Sequence, residues 1–367
     1  MAKSKDQIKT IGVLTGGGDC PGLNAVIRAV TKTAIGQYGL KVVGISDGYL
    51  GLIENHMAEL AWSDVSNILT QGGTILGTNN RANPAKYAVE EGGEMVIKDV
   101  REQCVENARR AGLDAIVAIG GDGTMSGAAA LAEKGLSFMG VPKTIDNDLV
   151  GTEITFGFNT AVVTATDALD KVHTTASSHH RVMIVEVMGR YAGWIALHAG
   201  VASGSDVILM PEIPYELGKI CETIEKRSQH GKRFSIIAVA EGAKEKGGDM
   251  VVRRKIEGSP DPIRLGGVAV KLAGDIEERT GLETRSVILG HVQRGGAPSA
   301  FDRTLATGFG YSAVEELMAG RRNLLVVRKA GSVGTVPLSE VANKVRTVPL
   351  DHPLMAAARA VGTAFGD

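Results

Sequence analysis

Short runs of β-branched and aliphatic residues alternate with longer helical patterns along this whole chain. The runs are Ile11–Leu14, Val42–Ile45, Ala115–Ile119, Phe138–Val141, Val182–Val187, Val207–Leu209, Ser235–Ala240, Ser286–Leu289 and Leu324–Val327. Between them lie helical patterns such as Gly22–Thr33, Ala161–Thr175, Leu217–Ser228, Val268–Glu278 and Leu305–Met318. Strands this short and apolar, separated by helices, suit parallel sheets covered on both faces. The alternation predicts a doubly wound α/β protein with two mainly parallel sheets. Its 367 residues suit two domains at roughly 150 residues each. A polar Gly/Asp/Asn-rich stretch, Thr144–Gly157, closes the first block. The expected division is 1–157 plus about 293–343, and 158–292 plus about 344–367.

Composition removes several classes of function. Forty basic residues face forty-one acidic ones, so no general excess of positive charge exists to neutralise a nucleic-acid backbone. Aromatic residues at 4% are too sparse for a base-stacking surface. Any anion site must therefore be local, and no nucleic-acid partner is expected. Cys20, Cys104 and Cys221 are far apart and form no CxxC pair, which argues against a disulfide framework or a zinc site and suits a reducing compartment. No run approaches the ~20 apolar residues that cross a bilayer, and Met1–Lys9 is charged and polar without an apolar signal core. The expectation is a cytoplasmic protein with no membrane partner.

Glycine is the exception to an ordinary composition, at 48 of 367 residues against a usual share of about 7%. The glycines cluster behind the apolar runs, where backbone must turn tightly or approach a ligand. Thr15-Gly16-Gly17-Gly18-Asp19-Cys20-Pro21-Gly22-Leu23-Asn24 follows one run and opens a helix, with Pro21 expected in its first turn. Backbone N–H groups there can face an anion, although a plain tight turn is the simpler alternative. The loop is neither GxxxxGK[ST] nor GxGxxG, which argues against a P-loop NTPase and an ordinary dehydrogenase. Gly120-Gly121-Asp122-Gly123-Thr124 repeats the arrangement after Ala115–Ile119. Asp122 supplies a hard oxygen of the kind Mg2+ prefers; its alternative role is a helix N-cap. Two such loops place a polyphosphate at the carboxyl edge of a parallel sheet. Pro142-Lys143-Thr144-Ile145-Asp146-Asn147-Asp148 then brings two carboxylates to a third strand end, a pairing suited to taking a proton from a hydroxyl.

The loops TGGGDCPGLN, GGDGT and PKTIDND, with Met188-Gly189-Arg190 and Gly290-His291-Val292-Gln293-Arg294-Gly295-Gly296, resemble the 6-phosphofructokinases in order and over most of the chain. The resemblance implies two Rossmann-like three-layer α/β/α domains with the active site in the cleft between them. It also implies phosphoryl transfer to the 1-hydroxyl of fructose 6-phosphate. On this basis Asp146 is the base, Asp148 assists it, Thr144 meets the substrate, and Asp122 holds Mg2+. Gly18, Arg81, Gly121, Gly123 and Thr124 line the donor pocket with Asp122. Arg190, beside Met188 and Gly189 in the substrate site, stabilises charge on the transferred group, as a guanidinium fork suits. Glu241 corresponds to a substrate-binding glutamate, and Arg181, Arg285, His291 and Arg294 to the grip on the 6-phosphate. In the family the equivalents of Arg181 and Arg285 reach in from a neighbouring subunit, so a homodimer or homotetramer with shared sites is implied.

Two positions bear on the donor. Pyrophosphate-dependent relatives usually carry aspartate where Gly123 stands, and a carboxylate there would crowd and repel the α-phosphate of ATP. Lys143 pulls toward pyrophosphate, since many ATP-dependent bacterial members have glycine in its place. The pair resembles the family's mixed-substrate group; a blocked pocket excludes ATP altogether, so the steric permission of Gly123 decides for ATP over pyrophosphate. Arg28 matches the family's basic effector site, whereas Lys32 and His56 stand where arginines are usual, and lysine lacks their bidentate geometry. GGDGT also occurs in NAD kinases and lipid kinases, which lack PKTIDND and GHVQRGG. A silent nucleotide-binding subunit would have lost Asp122, Asp146 or Arg190, and all three are present.

Overall fold

The computed structural model describes residues 8–255 and 263–367, and the side chains of 253–255 and 263–264 are not part of that description. Every apolar run named above lies in or across a strand. The larger sheet has the strand order Ser332–Pro337, Leu324–Lys329, Phe138–Thr144, Ala115–Gly120, Thr10–Thr15, Lys41–Ile45, Met57–Glu59, with Phe156–Gly157 pairing Phe138–Thr144 off this path. Its inner strands are parallel and both outermost pairings are antiparallel. The smaller sheet, Val207–Leu209, Ser235–Ala240, Val182–Val187, Thr284–Ile288, is parallel throughout. The fold is thus α/β with two mainly parallel sheets.

Burial explains why these segments are apolar throughout. All side chains of Ala115–Gly120, Val182–Val187 and Ser235–Ala240 are buried, as strands with helices on both faces must be. One apolar core, running from Ile11 and Val117 through Phe156 and Trp194 to Ile208 and Ala238, crosses from one sheet to the other. No described helix is long and apolar enough to cross a membrane.

One local expectation fails. Pro21 lies ahead of the first helix, which runs Leu23–Tyr38 and is preceded by Gly22 at φ 111°. That left-handed conformation suits glycine, and a Cβ there would come within 2.7 Å of the Phe156 ring. The turn closes one residue later because the backbone packs against that ring.

Candidate active site

The three glycine- and aspartate-rich loops leave three neighbouring strands, Thr10–Thr15, Ala115–Gly120 and Phe138–Thr144, at their carboxyl ends. A cavity of about 360 Å³ lies there, lined by Gly17, Gly18, Asp122, Gly123, Lys143, Asp148, Arg294 and neighbours from the segment around Asn79. The Gly16 N–H donates to the Ile119 carbonyl at 2.9 Å, and the Thr78 hydroxyl donates to the Gly17 carbonyl at 2.6 Å. The loop is therefore fixed from both sides. Arg81 is exposed at the rim, its N–H held by the Asn79 side chain at 2.7 Å, and its side chain is outside the cavity lining.

The glycines divide into different tasks. A Cβ at Gly16 or Gly120 would meet the Thr124 hydroxyl at 2.6 and 2.2 Å, so these two admit the buried Thr124 and the helix Asp122–Ala132. A Cβ at Gly18 would meet Arg294 Nη1 at 2.8 Å; that guanidinium crosses the loop to donate to the Asp19 carbonyl at 3.0 Å. A Cβ at Gly123 would meet nothing within 4 Å. Gly123 thus borders open space.

Asp122 is the first residue of its helix, with Gly121 as the cap. Burial raises its pKa; the Asn343 N–H pulls it back, and Asp148 pushes it further up. Lys143 is buried, its Nζ bonded to the Gly18 carbonyl, and burial lowers its pKa. Asp146 is pushed up to about 7, first by burial and then by the Asp148 carboxylate, with Arg294 opposing and Glu241 adding. Its Oδ1 is buried and has no hydrogen-bond partner among the described residues. Burial also raises Asp148, against a hydrogen bond from Thr144. Two carboxylates this close to one another's influence disfavour simultaneous ionisation, which is the second cause, after burial, of the rise at Asp146.

Sequence reasoning passed over the residue between them. Asn147 adopts φ 51°, its side-chain oxygen accepts the Thr155 N–H at 3.0 Å, and its amide donates to the Glu153 carbonyl at 3.3 Å. Asparagine tolerates the left-handed region better than most residues, and N-D in a polar loop is the signal that was available.

The smaller sheet forms a second cavity, of about 430 Å³, at its own carboxyl edge, with Glu186, Met188, Glu241, Gly266, Gly267 and His291 among its lining. Gly189, at φ 135°, lets the Met188–Arg190 loop turn against Gly242, whose N–H donates to the Gly189 carbonyl at 3.1 Å. A Cβ on Gly242 would come within 1.9 Å of the Arg190 carbonyl oxygen. Arg190 lies over the Tyr191 ring at 5.7 Å and opposes the rise that burial imposes on Glu241. The fully buried Gln293 accepts the Met188 N–H at 3.3 Å, tying the 290–294 turn to that loop. Glu186, also missed from sequence, is a buried carboxylate that accepts the N–H groups of Gly267 and Ala269 at 2.9–3.0 Å, at the start of the helix Val268–Thr280.

Arg181 and Arg285 are elsewhere. They sit at the amino-terminal end of the smaller sheet and share one carboxylate, Glu283, at 2.7 and 2.6 Å. A strand of six residues at ~3.3 Å each separates them from the cavity holding Glu241 and His291. Arg28 and Lys32 line a further cavity of about 420 Å³, while His56 lies 3.7 Å from Glu54 instead.

The phosphofructokinase family model matches residues 10–317, a span containing every loop described here. ATP-dependent 6-phosphofructokinase 2 of Clostridium perfringens is 52% identical, over 98% of this chain and 99% of that one. Pyrophosphate–fructose 6-phosphate 1-phosphotransferase of Amycolatopsis methanolica is 48% identical over 92% of this chain and 96% of its own length. The crystal structure of Pichia pastoris phosphofructokinase superposes with a TM-score of 0.77 at 34% identity, covering 91% of this chain and 37% of that longer one. With this agreement in sequence and architecture, the chain belongs to the phosphofructokinase family.

Proposed function

We propose that this protein transfers the terminal phosphoryl group of ATP to the 1-hydroxyl of fructose 6-phosphate, giving ADP and fructose 1,6-bisphosphate. The observation that carries the reading is Asp146. Its buried, unpartnered oxygen senses both Asp148 and Arg294 of the first cavity and Glu241 of the second. A base whose pKa lies near neutrality, under the influence of charged groups that line both cavities, suits a hydroxyl acceptor on one side and a phosphoryl donor on the other. The sugar oxygen attacks the terminal phosphorus as its proton passes to Asp146, and the bond to the bridging oxygen breaks. Asp148 keeps the proton within the carboxylate pair, and Thr144 holds it in place. Arg190 offers a guanidinium fork to charge spreading over the transferred oxygens. Arg294, which the resemblance gives to the 6-phosphate grip, lines the first cavity rather than the second, which supports its meeting the transferred group instead. Glu241, Met188 and His291 receive the sugar.

Mg2+ suits the donors present. Among the described residues no three His, Cys, Asp or Glu side chains gather around a metal, and Mg2+ characteristically takes one or two carboxylates plus phosphate oxygens. Asp122 is the residue that would hold it, and the ion would neutralise charge on the donor phosphates.

A second reading, pyrophosphate as donor, rests on Lys143, whose buried ammonium lies on the glycine loop. The open space beside Gly123 favours ATP, and the mixed-substrate grouping follows from the two together. The separation of Arg181 and Arg285 from Glu241 and His291 supports their serving the site of a neighbouring subunit, and hence a homodimer or homotetramer. The division 1–157 plus 293–343 and 158–292 plus 344–367 is supported by which segments supply each sheet. The test is turnover of fructose 6-phosphate with Mg2+ and either donor. Bisphosphate formed faster with ATP is expected; turnover with pyrophosphate alone reverses the donor assignment, and none with either rejects the reaction.

A further inference from the structure

The loop after the short helix Leu338–Val341 carries one side chain that touches both halves of the site from behind. Arg346 Nη1 donates to the carbonyls of Asn147 at 3.1 Å and Glu153 at 3.0 Å. Its backbone N–H donates to the Asp148 carbonyl at 2.7 Å, and the adjacent Val345 bridges to Leu149. The Asn147 carbonyl belongs to the left-handed turn that separates the two aspartates, and the Glu153 carbonyl also accepts the Asn147 side-chain amide that braces that turn. On its other side the guanidinium lies over the Trp194 ring at 4.2 Å, and Trp194 Nε1–H donates to the Arg346 carbonyl at 3.2 Å. Trp194 is the first residue of the helix that follows the Met188–Arg190 loop, and it is buried.

We infer that Arg346 is a positioning residue that locks the Asp146–Asp148 turn of one sheet in register with the Arg190 loop of the other. This rests on the reaction proposed above. Its planar fork bonds carbonyls in the plane while its face stacks on the indole, two contacts that lysine cannot make together. The side chain is half-buried, and that burial lowers the guanidinium's pKa against the pull of Glu153. Phosphoryl transfer depends on aligning the attacking oxygen, phosphorus and charge-stabilising groups, and displacements of about 1 Å cost ~10²-fold. Arg346 lines neither cavity, so a loosened clamp acts on kcat rather than on saturation.

The test compares the full-length Arg346→Lys, Arg346→Met and Trp194→Phe proteins with the parent, by steady-state kinetics and by hydrogen exchange of the unliganded protein. Arg346→Met is expected to lose ~10²-fold in kcat, with both KM values within about twofold of the parent. Arg346→Lys, keeping a donor to the carbonyls, should recover part of that loss, and Trp194→Phe should lose less than either. In Arg346→Met, amides of 144–155 and of 188–196 should both exchange faster. Unchanged kcat in all three variants, or faster exchange in 144–155 alone, overturns the proposal. Should Arg346→Met not fold, the Lys and Phe variants decide by the same two measurements. A parent protein without turnover rejects the reaction, and paired loosening of the two segments still decides the coupling.

Discussion

The cavity on the larger sheet takes most of its lining from loops that leave three adjacent strands, Gly17, Gly18, Gly121 and Gly123 among them, with the segment around Asn79 and Arg294 completing it. The cavity on the smaller sheet is assembled from side chains of separated segments, Met188, Glu241 and His291, with Gly266 and Gly267 closing it. The first is closely packed around its loops: Gly16 and Gly120 admit Thr124, Gly18 admits Arg294, and Lys143 is buried against the loop. The second hangs on relations between loops, such as Gln293 to Met188 and Gly242 to Gly189. On the assignment proposed above, the glycine-rich cavity takes the phosphoryl donor and the cavity of dispersed side chains takes the acceptor.

The strongest way to break this contrast is at Asp146, which feels charged groups lining both cavities. Asp146→Asn should lower kcat by about 10²–10⁴, read by initial rates at saturating substrates. The same change should raise stability at high pH. The folded carboxyl is pushed up to about 7, against ~3.9 in an unfolded chain. The folded state therefore keeps its proton longer, and stability falls as pH rises from about 4 to about 7. The variant should melt above the parent at pH 8 and close to it near pH 4. Equal melting temperatures at pH 8 would show that the buried charge is compensated.

On the donor side, Gly123→Asp should fold normally, because a Cβ there meets nothing within 4 Å. A carboxylate ~4 Å from a phosphate costs up to about 4 kcal/mol at an effective dielectric of ~20. The kcat/KM for ATP should therefore fall at least tenfold more than that for pyrophosphate. Equal losses would place the α-phosphate away from this wall. The smallest effect belongs to Arg285, on the far end of the smaller sheet. Arg285→Ala should raise the KM for fructose 6-phosphate about tenfold with kcat little changed, as loss of an interaction made equally in the ground and transition states does. Overlapping saturation curves would leave Arg285 as a partner of Glu283 and Glu277 only.

Interior strands were legible because burial on both faces makes them uniformly apolar, as in Val182–Val187. The edges were not. Met57–Glu59 and Ser332–Pro337 are mostly exposed and carry little apolar pattern. The hairpin Tyr87–Glu91 and Glu94–Lys98 was missed although Gly92-Gly93 marks its turn, a recognised signal for a two-residue connection. In the site, the glycine loops announced a close approach without saying to what. Gly16 and Gly120 face a threonine, and Gly18 faces an arginine 276 positions away. Arg346 was silent for the same reason: its partners Asn147 and Trp194 are distant in sequence, and a lone arginine in a loop has no pattern.

The larger sheet is not finished until the chain is nearly complete. Phe138–Thr144 pairs on one side with Ala115–Gly120, and on the other with Leu324–Lys329, about 180 residues later. The smaller sheet closes over a single continuous stretch, 182 to 288. During synthesis the later sheet can therefore settle first, while an apolar strand edge of the earlier one waits for its neighbour. Such an edge is open to pairing with other chains. At ~5–20 residues per second that exposure lasts on the order of ten seconds or longer. Slow translation of the intervening segment is then a hazard specific to the sheet that carries Asp146.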